Sequence, residues 1–313
     1  MRLLHLHPGP DTAGQSAAAK RVLEAGGDEV RVFAHRQHPF AYGKVDLWDE
    51  EAVRESVQWA DVIVIHNDPL LAERVGAVGG PAELFVHHHG TRFRTHPDAI
   101  WRQCRDIGAR SIVSTVDLLL SVPKGGEAQW IPQVIDTRKM EALREALAPA
   151  PTDRPVVAHA PTNRMTKGTR YVNVAMQKIG RDRRVDYLLI QRRPWTVCLT
   201  LKASSHVFVD QLHLGYGNNA IEAWAMRLPV IAGAPEPILA KMREVYGGYL
   251  PFLSTAPNEV EGAIRALIDS PDLREEWGRI GYEHVQRFHA PETWADYAHR
   301  LYAGILTEAS PAA

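Results

Sequence analysis

The sequence predicts an α/β protein built from two doubly wound parallel sheets facing a cleft. Three observations carry that prediction. Short β-branched and aromatic runs alternate with helical periodicities along the chain. Runs such as Asp61-Val62-Ile63-Val64-Ile65-His66 are almost continuously apolar, as strands covered on both faces are. The pattern then breaks at a proline-rich stretch, Ala148 to Pro155, and restarts beyond it. A chain of 313 residues suits two domains, each able to bury its own core.

Arg2 to His7 reads as the first strand. A loop with Gly9 and Gly14 follows, then a helix from Ser16 to Ala25 stopped by Gly26-Gly27, and a strand from Glu29 to Ala34. That loop stands beyond a strand C-terminus, where open α/β sheets bind ligands, which makes Gly14 a candidate contact. A plain connecting turn is the other reading. Glu50 to Ala60 is helical, Asp61 to His66 a strand, Pro69 to Val75 helical and Glu83 to His88 a strand. The first domain continues through Ser111 to Thr115, Val116 to Leu120 and Ala128 to Pro132, and a helix from Thr137 to Leu147 closes it. After the linker come a strand at Val156 to His159, a helix at Thr169 to Ile179, a strand at Val185 to Ile190 and a helix at Trp195 to Lys202. A strand from His206 to Asp210, a helix around Ala220 to Ala225 and a strand from Leu228 to Ala232 form the next unit. Pro237 to Val245, a strand near Tyr249 to Phe252, and Glu259 to Ile268 come next. Two helices end the chain, Asp272 to Phe288 and Pro291 to Leu306, the second with Trp294, Tyr297, Leu301 and Tyr302 on one face. The tail from Glu308 is expected to fray.

With 45% hydrophobic and 23% charged residues the composition is that of a globular protein. A formal net charge of −1 argues against sequence-independent nucleic-acid binding, which needs a basic excess. Cys104 and Cys198 are far apart and form no CxxC, so neither a disulfide framework nor a thiolate zinc site is expected, and a reducing cytoplasm is the default setting. No apolar run approaches the roughly 20 residues of a membrane helix.

The chemistry concentrates in two loops of the second half. In Gly215-Tyr216-Gly217-Asn218-Asn219-Ala220-Ile221-Glu222 a strand hands over to a helix through two glycines. Asn218 and Asn219 stand where an N-cap is wanted, with Glu222 three residues after Asn219 as in a capping box. A helix N-terminus approached by bare backbone suits a phosphate or a polyol. The stretch reads as a tight βα turn whose glutamate caps its own helix. It also fits G-x-G-x-x-A, although the acid that a dinucleotide fingerprint wants about 20 residues onward is missing. Upstream, the loop Ala160 to Gly168 delivers Asn163, Arg164 and Lys167 to a helix start, two cations that suit a diphosphate or a solvated basic face.

Both loops resemble the donor site of retaining, family-four glycosyltransferases of the GT-B fold (glycosyl transferases group 1). That resemblance implies two Rossmann-like domains: residues 1–150 on the acceptor side, 151–290 binding a nucleotide sugar, and 291–313 a C-terminal helix crossing back to the first domain. An ordinary helix on the second domain is the other reading of that last segment. The resemblance also implies Arg164 and Lys167 as the cations that stabilise the departing nucleoside diphosphate, and Glu222 as the carboxylate that binds the ribose hydroxyls. Gly215, Tyr216, Gly217, Asn218, Asn219 and Asn163 complete the donor loops. The family places a second glutamate eight residues before the first, and this chain has Leu214 there.

His87-His88-His89-Gly90 ends a first-domain strand. Neighbouring strand residues point to opposite faces, so three consecutive histidines are not expected to form a facial metal site, and no partner stands at ligand spacing nearby. The resemblance implies instead that His89 contacts the donor sugar; a histidine that caps the strand end is the other reading. Arg92, Arg94, His96, Arg102 and Arg105 come after it, either a basic lip for an anionic acceptor or a solvated face. Trp130 to Asp136 resembles the family's strand-end segment before the linker, and Asp210-Gln211, just ahead of the glycine loop, is expected to line the same cavity; neither is assigned a catalytic role. No Walker A, GxSxG, HExxH or D-x-D motif is present, so no metal and no cofactor are expected beyond a nucleoside-diphosphate sugar as co-substrate. The expected activity is glycosyl transfer with retention to an acceptor left open between protein, glycan, lipid-linked intermediate, small molecule and modified DNA. A sugar-nucleotide epimerase and a non-catalytic nucleotide-sugar binder are the alternatives.

Overall fold

The computed structural model describes residues 1–304, so the expected helix end at Leu306 and the tail from Glu308 lie outside the described residues. The chain divides into two compact units. One comprises residues 1–134 together with the segment from Pro291, and the other comprises residues 135–290.

In the first unit, seven parallel strands are β1 (Arg2–His7), β2 (Glu29–Ala34), β3 (Asp46–Leu47), β4 (Val62–His66), β5 (Glu83–His88), β6 (Arg110–Val113) and β7 (Ala128–Trp130), in the order β3-β2-β1-β4-β5-β6-β7. In register, Leu3 lies between Val30 and Val62, and His66 pairs with His87. One face buries Leu3, Val32, Val62, Val64, Phe85 and Ile112 under helix Gln15–Ala25 and helix Pro291–Tyr302. The C-terminal helix therefore belongs to the first unit's core. Trp294 Nε1 donates to the Pro132 carbonyl at 2.6 Å, and the Tyr297 hydroxyl donates to that of Trp130.

The second unit holds five parallel strands, β8 (Val156–His159), β9 (Asp186–Leu189), β10 (Val207–Val209), β11 (Val230–Ala232) and β12 (Leu253–Ser254), in the order β12-β11-β10-β8-β9. Helices Thr169–Ile179 and Val260–Asp269 cover one face with Val172, Met176, Ile179, Ile264 and Leu267. An aromatic cluster of Trp224, Tyr216, Tyr246, Phe252 and His284 forms on the other.

Two boundaries differ from the sequence reading. Helix Thr137–Leu147, expected to close the first domain, packs within the second unit. Arg144 Nη1 donates to the carbonyls of Ala203 (2.7 Å) and Ser205 (2.8 Å), and Lys139 Nζ sits 4.1 Å above the Trp195 ring. The division thus falls between Val134 and Ile135 rather than in the proline-rich stretch. The strand expected at Tyr249 to Phe252 begins only at Leu253, because the Tyr249 hydroxyl is drawn to His284 Nδ1 (3.0 Å) and Phe252 turns into the aromatic cluster.

Helix Pro271–Phe288 lies against helix Asn218–Ala225 through two glycines. A Cβ on Gly281 would meet Trp224 Cδ1 at 2.0 Å, and one on Gly278 would meet the Arg227 carbonyl oxygen at 2.4 Å. Gly281→Ala is expected to push the two helices apart and cost about 1–3 kcal/mol in urea unfolding. Gly262→Ala, where nothing lies within 4 Å, should instead gain roughly 0.5–1 kcal/mol from helix propensity.

Candidate functional site

Each unit gathers polar side chains at the C-terminal edge of its sheet, where the strand order reverses. This switch point falls between β8 and β10 in the second unit and between β1 and β4 in the first. Crevices of this kind are where open α/β sheets take ligands.

In the second unit the loop after β8 is tightened by Asn163, whose Oδ1 accepts from the backbone N–H groups of Met165 (2.9 Å) and Thr166 (3.2 Å). Arg164 is exposed, and its guanidinium has no hydrogen bond or ion pair among the described residues. Lys167 turns inward, and its Nζ donates to Asp210 Oδ1 at 2.6 Å, just past the end of β10. The other Asp210 oxygen accepts from the Gly217 N–H at 2.7 Å. A Cβ on Gly217 would lie 3.3 Å from the Lys167 ammonium, so glycine lets that cation stand close against the mouth of helix Asn218–Ala225. Asp210, expected from the sequence only to line the cavity, is the link between the two loops.

Glu222, one turn into that helix, is 1% exposed. Its Oε1 accepts from Trp195 Nε1 (2.8 Å) and Asn218 Nδ2 (3.0 Å), and its Oε2 accepts from Lys202 Nζ. Lys202 is itself fully buried and also donates to Asn219 Oδ1 at 2.6 Å. Burial opposes its charge, but the Glu222 carboxylate more than offsets this and raises the ammonium's pKa. The expected capping box is therefore absent. The helix begins after Gly217 with no side-chain cap, Asn219 is held by Lys202 and by the Ala160 carbonyl (3.1 Å), and the glutamate is turned toward the lysine. Sequence reasoning missed Lys202 and Trp195; the visible signal was a single lysine in the otherwise uncharged run Val197 to Ala203.

Of the other loop residues, Gly215 takes φ +81° and a bridge to Gly233. The Tyr216 side chain points away from the loop surface into the aromatic cluster, its hydroxyl 2.7 Å from that of Tyr246, so it anchors the loop from inside. His159, at the end of β8, uses Nδ1 on the Val209 carbonyl (2.8 Å) and Nε2 on Thr169 Oγ1 (2.9 Å). Leu214 is half-buried.

In the first unit Gly14 opens helix Gln15–Ala25 at φ +68°, against Tyr42. The helix N-terminus is already occupied by Asp11, whose carboxylate accepts from Ser16 N (3.0 Å) and Ala17 N (2.9 Å) and is pushed by burial up to about 6. His89 follows β5 with its backbone N–H on Asn67 Oδ1 (2.7 Å) and its Nε2 2.7 Å from His66 Nδ1. His66, His87 and His89 bring one ring nitrogen each within 4.8 Å of one another. The three consecutive histidines do not share a face, as expected, but the expectation that no ligand partner stands nearby does not hold. His87 and His89 are two residues apart and project together, and the third comes from the adjacent strand. His88 faces the other way, stacked on Phe93. Burial holds His5 down to about 4 and His89 to about 3, and His66 and His87 well below the usual range. Of the basic residues beyond Gly90, Arg92 pairs with Asp68 (3.4 Å) and Arg105 with Asp106 (3.0 Å) as a solvated face would, whereas Arg94 is half-buried on the buried Asp117 (2.5 Å).

Two consequences are measurable. Lys202→Met leaves the Glu222 carboxylate buried and unpaired, and should cost about 3–5 kcal/mol in denaturant unfolding; adding Glu222→Leu to it should recover most of that loss. His159 is held by burial at about 4, so the unfolded chain takes up its proton first as pH falls. Its contribution is intact above pH ~6.5 and lost progressively down to about 4, about 3 kcal/mol in all. A His159→Asn variant should show a correspondingly shallower fall in stability across that window.

No family model matches the sequence, and no curated protein matches it. Solved structures do. HepE of Anabaena in complex with UDP and glucose superposes with a TM-score of 0.70 at 14% identity, covering 97% of this chain and 99% of that one. The sucrose-phosphate synthase of Thermosynechococcus elongatus gives 0.64 at 17% identity over 97% and 99% of the two chains. An alpha-glucosyltransferase in complex with UDP gives 0.63 at 7% identity over 97% and 100%. Among the described residues no helix is long and apolar enough to cross a membrane. Two parallel sheets in these orders, matched over nearly the full length of each neighbour, give this chain the GT-B fold of glycosyltransferases.

Proposed function

We propose that the protein transfers a sugar from a nucleoside-diphosphate sugar to an acceptor hydroxyl in the cytoplasm. The anomeric configuration is retained, and no metal sits on the diphosphate. The observation that carries this reading is the Lys167 ammonium held by Asp210 against the mouth of helix Asn218–Ala225, at the switch point of the second sheet. A diphosphate there gains the Lys167 charge, the Arg164 guanidinium from the exposed part of the same loop, and the N–H groups of the glycine loop. These cations stabilise charge as it develops on the leaving group, which is where electrostatic catalysis has most effect. That HepE and the alpha-glucosyltransferase bind UDP on this fold supports the same guest here.

In this reading the second unit takes the donor and the first the acceptor. Glu222 receives the ribose hydroxyls, and its three internal donors fix the carboxylate in place beforehand. Gly215, Gly217, Asn218 and Asn219 shape the loop, Tyr216 contributes its backbone alone, and Asn163 sets the geometry that presents Arg164. His89, on the first unit, is the sugar contact that the resemblance implies, and Gly14 is the candidate contact in the loop after β1. A second reading, a nucleotide-sugar binder without transfer, is favoured by Leu214, which puts an apolar side chain where the resemblance places an acid.

Isothermal titration with UDP-, GDP- and ADP-sugars tests donor binding. Arg164→Ala and Lys167→Ala are each expected to weaken nucleoside-diphosphate binding by about 10–100-fold, the worth of one charge-assisted hydrogen bond. With an acceptor, NMR of the product should show the donor's anomeric configuration, at a rate that added Mg2+ or Mn2+ does not raise. Binding without transfer or hydrolysis would establish the binder reading. Failure of all three donors to bind would remove both.

A further inference from the structure

The first unit buries imidazoles where its neighbouring positions bury aliphatic side chains. Side chains alternate between sheet faces with a period of two. The face carrying Leu3, Val62, Val64 and Phe85 therefore continues into His5 and His7 on β1, His66 on β4, and His87 and then His89 after β5. His5, His7 and His66 are at most 3% exposed and His87 is 9% exposed. Buried polar groups are normally paired, and an unpaired one costs on the order of 1–3 kcal/mol. Here His5 Nε2, His87 Nε2 and His89 Nδ1 are buried without a hydrogen-bond partner among the described residues. Two of the pairs that do form are imidazole to imidazole, His66 Nδ1 to His89 Nε2 at 2.7 Å and His66 Nε2 to His5 Nδ1 at 3.1 Å, and two run to Ser16 Oγ, from His7 Nε2 at 2.8 Å and His66 Nε2 at 3.3 Å. His5, His66, His87 and His89 also line a cavity of about 20 Å³, with Gln15 and Ser16 at its polar side.

We propose that His66, His87 and His89 form a binding site for one divalent transition-metal ion of the zinc class. Neutral imidazole is a ligand of choice for zinc, nickel and copper. Three histidines with a fourth position left open are a known zinc arrangement. The cavity has room for about one water to complete the coordination. Zinc–nitrogen bonds of about 2.0–2.1 Å set tetrahedral ligand nitrogens about 3.3 Å apart. Ligation therefore opens the 2.7 Å His66–His89 contact slightly and draws the other nitrogens in from their 4.8 Å limit. The imidazoles are already neutral in their buried setting, so the ion meets lone pairs rather than protons. His5 and His7 stand behind His66, and the His7 ring stacks on it at 3.7 Å, which fixes the orientation of the central ligand. The inference rests on the first unit alone and does not depend on the sugar-transfer reading.

The test uses the full chain, stripped with a chelator and dialysed, with no nucleotide present because His89 is also the proposed sugar contact. Titration with Zn2+ followed by calorimetry should show one equivalent bound and a rise in Tm. Co2+ should give the visible absorption of a tetrahedral site. His87→Gln and His89→Gln should each weaken binding by at least about 100-fold, beyond what loss of an outer partner does. His96→Gln, on the exposed surface, should bind as the unaltered protein does. Circular dichroism of the metal-free variants separates lost ligands from lost folding, and a His66→Gln variant serves if one of the others unfolds. Absence of stoichiometric binding, or binding that survives both His87→Gln and His89→Gln in folded protein, overturns the site.

Discussion

The second unit is organised around an ammonium and a carboxylate that have both left water. Lys202 and Glu222 are 0% and 1% exposed, and a buried ion costs several kcal/mol unless its remaining valences are met. Meeting them recruits Trp195 from the lysine's own helix and Asn218 and Asn219 from the glutamate's. The pair thereby docks helix Trp195–Ala203 to helix Asn218–Ala225 and sets the rotation of the second. That rotation turns the Gly217 N–H toward Asp210, and Asp210 in turn holds Lys167. A charge pair inside the domain thus determines where a cation stands at its edge.

The two switch points treat buried polarity in opposite ways. In the second unit, opposite charges stand in two pairs, Lys167 with Asp210 and Lys202 with Glu222, so each desolvated ion has a counter-ion within hydrogen-bond reach. In the first unit the buried groups are nearly all the same weak base. Desolvation keeps the histidines uncharged, and mutual repulsion of their cationic forms adds to it. The first arrangement resists protonation changes by pairing, and the second does so by suppressing charge altogether.

Much of this was legible before any coordinates. The continuous apolar strands announced parallel sheets, the restart near Val156 announced a second one, and the order of loops placed Lys167 ahead of Glu222. The rest depended on contacts that spacing does not encode. The capping-box spacing of Asn219 and Glu222 suggested a local cap, but a lysine 20 residues upstream offered the carboxylate a stronger partner. Tyr216 sat within a ligand-like loop motif, yet the aromatic cluster claimed its ring. His87 and His89 were visible as a pair, but their companion lies on the neighbouring strand, 21 residues before His87, and only register brings it alongside. The proline-rich stretch marked a composition change rather than a boundary in packing, because Arg144 and Lys139 tie helix Thr137–Leu147 to helix Trp195–Ala203 and the turn after it.

The discontinuity of the first unit bears on how the chain is made. Its sheet is complete by Trp130, but one of the two helices that cover the Leu3 and Phe85 face comes from Pro291–Tyr302. During synthesis that oily face must wait through more than a hundred and fifty residues for Trp294, Tyr297 and Leu301 to emerge. The second unit is one uninterrupted segment and lacks nothing once Ala290 is added. Units generally fold N-terminal first as they leave the ribosome. Here the order inverts, and the domain begun first is the one finished last.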